Sequence, residues 1–320
     1  MRDKQVALII PTLDRPENIE RLLDSLRSFG YLDREGFTPV VVDSSKDSST
    51  KQVTISSGAE YLDAKNLGKS EAMNIAIGHL PFKYIAFLDD DIIIINDSWL
   101  DNLLQNFAQD ESIGYVSGRV VAAEIKTEAQ RKWEQKGALN KGAQRIEVGS
   151  DFFQRFYLHG LPVQIVTMGA NHIAKREVLT HVQGHDERFG PGQVIGGAGA
   201  DLDLTYKVLM NGYRIIYDPT AVVAHSHPES LEELRSKLFT YGISDTAIHM
   251  KFLLEFGDAR SLFQIAYRPG QNAIRLIKSL LGKYPLPPDI LLAGIIGNLI
   301  GPYEYMKYRK HSVGGITTES

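Results

Sequence analysis

Three consecutive carboxylates, Asp89, Asp90 and Asp91, lie between the apolar runs YIAFL and IIII. Adjacent like charges repel, and holding them at a strand end costs free energy unless a cation or a set of hydrogen bonds offsets the repulsion. Carboxylate oxygens suit Mg2+ or Mn2+, and such an ion keeps waters or phosphate oxygens as its other ligands, so one or two protein carboxylates suffice. A second group follows a glycine-rich loop, GPGQVIGGAG, with five glycines in ten residues: Asp201 and Asp203 open a helical pattern there. A carboxylate within hydrogen-bond reach of a hydroxyl takes its proton in the transition state. Two positions apart on a helix, these acids do not share a face; one would face a cleft while the other caps or supports the helix start. The loop before them reads as a lid closing over a ligand. His225 is a candidate metal ligand, and His227 reads as structural or solvent-facing.

The elements that would position these groups alternate. QVALIIPT, TPVVVD and YIAFL read as strands; RPENIERLLDSLRSFG and GKSEAMNIAIGHL read as helices, the first with Ile19, Leu22, Leu23 and Leu26 at helical spacing and Gly30 as its stop. Strands alternating with helices predict an α/β fold with a mostly parallel central sheet flanked by helices, in which ligands bind at the carboxyl ends of the strands. Three polar clusters fall at those ends: Pro11 to Asp14, Asp43 to Ser45, and Asp89 to Asp91. If strand geometry persists, Asp89 and Asp91 point one way and Asp90 the other. The first strand is not followed by GxGxxG, which removes the main support for a dinucleotide site. Farther on, IGYVSGRVVA and YRIIYDP read as strands, GLPVQIVTMGANHIAKREVL as a strand entering a helix, and the chain after Pro228 as mostly helical.

Composition narrows the classes. The 320 residues carry 35 Lys and Arg against 39 Asp and Glu, a net charge of −4 that does not suggest a nucleic-acid partner. With no cysteine, disulfides and thiolate chemistry are excluded; a cytoplasmic setting is compatible. The longest nearly uncharged apolar stretch, Ile290 to Ile300, is shorter than the roughly 20 residues that span a bilayer.

The ordered motifs carry a resemblance. IIPTLDRPENIERLLDSL, VVVDSSKDSS, KNLGKSEAMNIAI, IAFLDDDI, GANHIAKREVL, GHDERFG and ADLDLTYKVLMNGYRIIYDPTAVVAHSH together resemble the inverting family-2 glycosyltransferases, with a Rossmann-like GT-A fold, over about residues 6 to 227. The resemblance implies a GT-A domain over 1–228 followed by a helical extension over 229–320. It implies a metal-dependent enzyme using Mn2+ or Mg2+ to move a sugar from a nucleotide-diphosphate donor, UDP- or dTDP-linked, to a glycan or lipid-linked saccharide. Thr12 and Asp14 would lie around the base and ribose, and Asp43 would accept a hydrogen bond from the base. Asn66, Gly68 and Lys69 would lie beside the nucleotide, with Lys69 near the diphosphate. Asp89 and Asp91 match the family's DxD pair, Asp89 toward the ribose and Asp91 on the metal, with Asp90 between them on the nucleotide-sugar side; His225 would complete the metal site. Asp201 matches the general base of a Glu-Asp pair, and Gly169, Asn171 and Asp203 would lie on the acceptor side. The sequence departs at Ala200, where the family has Glu. That departure leaves open a scaffold that binds the donor without chemistry. A nucleotidyltransferase would carry a glycine- and cation-rich loop after its first strand, and PTLDRPEN is not one.

The tail differs in charge from the rest. From Arg260 to His311 there are eight Lys and Arg against Asp289 and Glu304. Ile274, Ile277, Leu280 and Leu281 fit one face of an amphipathic helix with Arg275, Lys278 and Lys283 nearby. The tail reads either as attachment to an anionic membrane surface, which would place the protein on the inner face of the plasma membrane, or as a helical layer over the core or an oligomer contact. Trp133 is a candidate for stacking on a sugar or for a core position.

Overall fold

The computed structural model describes residues 5–155, 162–311, 314 and 316; residues 1–4 and 317–320, which the expected domain ranges include, lie outside them. In chain order the elements are β1 (Val6–Thr12), α1 (Pro16–Ser28), β2 (Phe37–Asp43), α2 (Ser49–Ser56), β3 (Glu60–Asp63), α3 (Lys69–His79), β4 (Tyr84–Leu88), β5 (Ile92–Ile94), α4 (Trp99–Leu104), β6 (Ile113–Ala122), α5 (Glu128–Lys136), β7 (Ile146–Val148), α6 (Ser150–Arg155), β8 (Asn171–Lys175), α7 (Arg176–His181), α8 (Ala200–Met210), β9 (Arg214–His225), α9 (Leu231–Phe256), α10 (Arg260–Leu280) and α11 (Pro288–Tyr308).

The nine strands form one sheet in the order β3-β2-β1-β4-β8-β6-β9-β5, with β7 beside β9. β1, β2, β3 and β4 pair in parallel, as do β6 and β9. β8 enters antiparallel between β4 and β6, so β6 and β9 share the direction of the first four strands, while β5, β7 and β8 run against it. Six of the nine strands therefore point one way, as the strand–helix alternation leads one to expect, and their carboxyl ends meet along one edge.

Strand β1 shows why the sheet is buried on both faces. Ala7 and Ile9 join the apolar layer that includes α3, α7, α8 and α9, while Val6, Leu8 and Ile10 join the layer under α1 and α4. Helix α1 buries Ile19, Leu22, Leu23 and Leu26 against the second layer, each contributing about 1.5–3 kcal/mol. Helix α5 starts at a capping box in which Thr127 and Gln130 each satisfy the other's backbone N–H.

The C-terminal helices share the main core. Ala247, Ile248 and Phe252 of α9 and Tyr305 of α11 belong to the same cluster as Phe87 and Tyr115 of the sheet. The division at 228/229 thus follows the change from strand to helix rather than a break in packing. Helices α9 and α11 approach until a Cβ on Gly297 would meet the Phe239 carbonyl at 2.2 Å. Trp133 is buried with Leu234, Leu286, Ile290 and Leu291, the core position rather than a sugar-facing one.

Candidate functional site

At the end of β4 the chain turns: the Ile92 N–H donates to the Asp89 carbonyl at 3.2 Å. Strand geometry does not continue through the three acids, yet the turn sends them apart. Asp90 is buried; its carboxylate accepts the Thr12 hydroxyl at 2.8 Å and Arg15 Nη1 at 3.2 Å, tying the end of β1 to the end of β4. Asp89 pairs with Lys69 Nζ at 2.5 Å, from the first residue of α3. Asp91 faces His225 at the end of β9, with 3.2 Å between Oδ1 and Nε2. Ligand atoms of Asp89, Asp91 and His225 all lie within 4.8 Å of one another.

The protonation of this group splits. Burial raises the Asp89 carboxyl, but the charge and hydrogen bond of Lys69 outweigh it and hold Asp89 below its usual range. Asp91 has no such partner: burial, and then the Asp89 charge, push it up. Burial, with Lys237 adding to it, drives His225 down to about 3, so its ring is neutral near pH 7. Asp91 Oδ1 is buried without a hydrogen-bond partner. Adjacent ligands on an octahedral ion with bonds near 2.1 Å are about 3 Å apart. A neutral imidazole, an orphaned carboxylate oxygen and a second carboxylate therefore fit Mg2+ or Mn2+.

A relay behind His225 orients the ring. His225 Nδ1 lies 3.3 Å from His227 Nδ1, and His227 Nε2 lies 2.7 Å from Glu134 Oε1. With His227 Nε2–H donating to Glu134, His227 Nδ1 accepts from His225 Nδ1–H, and His225 Nε2 keeps its lone pair toward Asp91. His227 is therefore buried and structural, not solvent-facing.

Asp201, in the first turn of α8, lines the same cleft, a cavity of about 970 Å³ shared with Thr12, Lys69, Asp89, Asp91 and His225. A Cβ on Gly169 would meet Asp201 Oδ2 at 2.0 Å, so only glycine admits the carboxylate there. Burial raises the Asp201 carboxyl, but His185 and Lys69 outweigh it and hold it low, leaving it ionised. His185 Nε2 is 3.8 Å from Asp201 Oδ1, an electrostatic rather than hydrogen-bonding distance. His172 is stacked between Phe87 and Tyr115 and is driven down to about 4 by burial, so its ring is neutral near pH 7. Ala200 packs into the core where the family's Glu would stand.

The structure places the other expected site residues as follows. Asp203 does not reach the acceptor side: it is fully buried, paired with Lys251 and, at 3.0 Å, with Lys207. It supports α8, because the helix turns it away from the Asp201 face. Asn171 is likewise buried, accepting from Trp99 Nε1 at 2.9 Å and donating to the Arg119 and Ala221 carbonyls, so it knits strands together. Asp43 is fully buried, with its oxygens on the Ser45 N–H at 2.9 Å and the Tyr61 hydroxyl at 3.2 Å. Asp14 and Asn66 are exposed with φ of 54° and 66°, in turns that flank the cleft rather than among its lining residues. Gly68 does line it and lies under the glycine-rich loop: a Cβ there would meet Gln193 at 2.2 Å, and the Lys69 N–H donates to the Pro191 carbonyl at 3.1 Å.

Sequence reasoning missed His185, His172, Glu134 and a group of cations that line the cleft. Lys136, Lys141, Lys237, Arg268 and Arg275 all line it. For Arg268 and Arg275 the excess of basic residues after Arg260 was the available signal, but it does not say which face of a helix carries them; Lys136, Lys141 and Lys237 lie before it.

A family model described as glycosyl transferase family 2 matches residues 7–180. The pre-mycofactocin glycosyltransferase of Mycobacterium tuberculosis is 25% identical over 246 residues, covering 75% of this chain and 46% of that protein; the chain spans about half the length of the curated relatives it matches. Among solved structures, the mannosyltransferase PcManGT from Pyrobaculum calidifontis, in complex with GDP-Man and Mn2+, aligns with a TM-score of 0.56 at 19% identity, over 93% of this chain and 89% of that one. Glucosyl-3-phosphoglycerate synthase from Mycobacterium tuberculosis, in complex with Mg2+ and UDP, gives 0.51 at 18% identity, over 78% of each chain. At these identities the structures show a shared fold. The family model spans more than half of the 320 residues and covers the strands that deliver Thr12 and Asp89 to Asp91: the chain belongs to glycosyl transferase family 2.

Proposed function

We propose that the protein transfers a sugar from a UDP- or dTDP-linked donor to an acceptor hydroxyl, with inversion at the anomeric carbon. The observation that carries this reading is the convergence of Asp89, Asp91 and His225 with Asp201 in one cleft. Asp89, Asp91 and His225 would hold Mg2+ or Mn2+, which as a Lewis acid offsets the charge gathering on the leaving diphosphate. Lys69 adds a fixed positive charge beside it. Asp201 takes the proton of the acceptor hydroxyl as its oxygen bonds to the anomeric carbon and the bond to the β-phosphate oxygen breaks, the electron pair leaving on that oxygen. Attack opposite the leaving group inverts the centre. The glycine-rich loop, whose Gln193 lies against Gly68, would close over the donor in this reading.

The acceptor is a glycan or lipid-linked saccharide in this reading, met at a membrane surface. Helix α10 exposes Leu262, Phe263, Ile274, Ile277 and Leu280, and exposed Leu281 follows it, with Lys278 and Lys283 about its end. No helix among the described residues is long and apolar enough to cross a membrane; an apolar face bordered by cations suits the surface of an anionic leaflet.

Calorimetry with UDP and dTDP, with and without Mn2+, tests the donor site on the wild type and Asp91→Asn. Metal-dependent nucleotide binding that the variant loses is expected. Binding that ignores both metal and Asp91 would overturn the assignment, and nucleotide binding with no turnover of any sugar donor would favour the scaffold that Ala200 leaves open.

A further inference from the structure

Resting on the reading of this cleft as a donor and acceptor site, we infer that the cationic, helix-built part of its lining binds a phosphate group carried by the acceptor. Lys136 closes α5, Lys141 follows in the next loop, Lys237 comes from α9, and Arg268 and Arg275 come from α10; all line the cavity that holds Asp201. Asp245 is the acid among them, 3.4 Å from Arg268 and near enough for its charge to act on Lys136 and Arg275 as well. Lys136, Lys141, Lys237 and Arg275 form no ion pair among the described residues.

Five cations that share a single carboxylate in one cleft are costly unless an anion arrives. The strain is visible in their protonation. Lys136 is driven down to about 8 by burial and then by Arg275, and Lys141 to about 8 by burial. Lys141 is held in place by donation to the Gln164 carbonyl at 2.6 Å, and Arg275 by donation to Asn272 Oδ1 at 3.0 Å. Arginine and lysine together suit phosphate, the first by planar bidentate contact and the second as a point charge. Lys237 also acts on Asp91 and His225, so it faces the donor diphosphate as well; Lys136 and Arg275 belong to the acceptor wall.

Helix α10 has two working faces. Arg268, Asn272 and Arg275 turn into the cleft while Ile274, Ile277, Leu280 and Leu281 turn outward. A helix lying on a bilayer by that outer face would hold the two arginines near headgroup depth. The same subsite would accept a phosphate on a lipid or on a soluble molecule, and the source is settled by experiment.

The test uses the full chain in EDTA without nucleotide. Methyl phosphate is titrated by calorimetry, and phosphatidic acid is presented in phosphatidylcholine vesicles, to the wild type, Asp91→Asn, Arg275→Gln and Lys136→Gln, each checked for folding by thermal melting. Binding of either probe by the wild type and Asp91→Asn, at least tenfold weaker in Arg275→Gln and Lys136→Gln, supports the subsite. Binding of methyl phosphate points to a soluble source, and binding of the vesicles alone, lost in Arg275→Gln, points to a lipid phosphate. Absence of binding to either probe, or binding unchanged in both cation variants, overturns it. Mn2+-dependent UDP binding on the same variants separates this from the donor reading: Arg275→Gln keeps it and Asp91→Asn loses it.

Discussion

The two walls of the cleft are opposite in charge and in construction. One is the carboxyl edge of the sheet, where β1, β4 and β9 and the start of α8 deliver Thr12, Asp89, Asp91, His225 and Asp201. The other is built from helices and one loop, and delivers Lys136, Lys141, Lys237, Arg268 and Arg275. On the sheet edge the acids are held by specific partners: Lys69 on Asp89, Thr12 and Arg15 on Asp90, and the His225–His227–Glu134 relay beside Asp91. On the helical wall only Arg268 is ion-paired among the described residues, with Asp245; Lys141 and Arg275 are held by neutral oxygens and Lys136 lies over the Trp133 ring. In the reading proposed above, the acids of the sheet edge are positioned in advance by their neighbours, whereas a subsite awaiting a charged ligand is left electrostatically incomplete.

The largest effect should come from the sheet-edge wall. Asp201→Asn is expected to lower turnover by about 10²–10⁴-fold while leaving Mn2+-dependent UDP binding intact; full transfer activity in that variant would remove Asp201 from the chemistry. Its neighbour on the same helix should behave in the reverse way. Asp203→Ala breaks a buried ionic cluster with Lys251 and Lys207 and should cost about 3–5 kcal/mol of stability, read by denaturant unfolding.

A smaller effect probes the outer face of α10. Replacing Ile277, Leu280 and Leu281 by Ser should abolish flotation with anionic vesicles and leave turnover on a soluble acceptor within about twofold, since these side chains do not line the cleft. Unchanged flotation would move the apolar face from lipid toward an oligomer contact.

The smallest expected effect is a pH dependence of the cationic wall. Lys136 faces Arg275 from α10, Asp245 and Lys237 from α9, and the Trp133 ring of its own helix. Its folded value of about 8 lies below the ordinary 10.5. Below pH 8 it is charged in folded and unfolded chains alike, and the burial cost is fully present. Between 8 and 10.5 the unfolded chain binds more protons, so stability rises with pH. Phosphate binding runs the other way: methyl phosphate affinity should fall a few-fold from pH 7 to 9.5, and Lys136→Gln should flatten that slope.

Much of the sheet-edge wall was legible in the sequence because its residues sit in short contiguous motifs at strand ends. DDD after YIAFL, ADLD after a glycine-rich loop and HSH after a strand each carry their chemistry within a few residues. Periodicity likewise placed α1, with Ile19, Leu22, Leu23 and Leu26 buried as their spacing indicated. The direction of β8 was not legible, since a strand reads the same whichever way its neighbours run. Asp203 and Asn171 show the limit within a motif: adjacent positions share the pattern, but the helix turn and the strand pleat send their side chains into the core.

The sequence by itself determined the fold class, the family and the sheet-edge acids, because strand and helix periods and local motifs are short-range properties. Tertiary structure alone decided what those acids face. It brought His225 to Asp91 and His185 to Asp201, and it turned Lys136 and Arg275, separated by more than a hundred residues in the chain, toward one cavity. Coulomb interactions depend on distance in space and on burial, and neither can be read until the chain has been folded back across its own sheet.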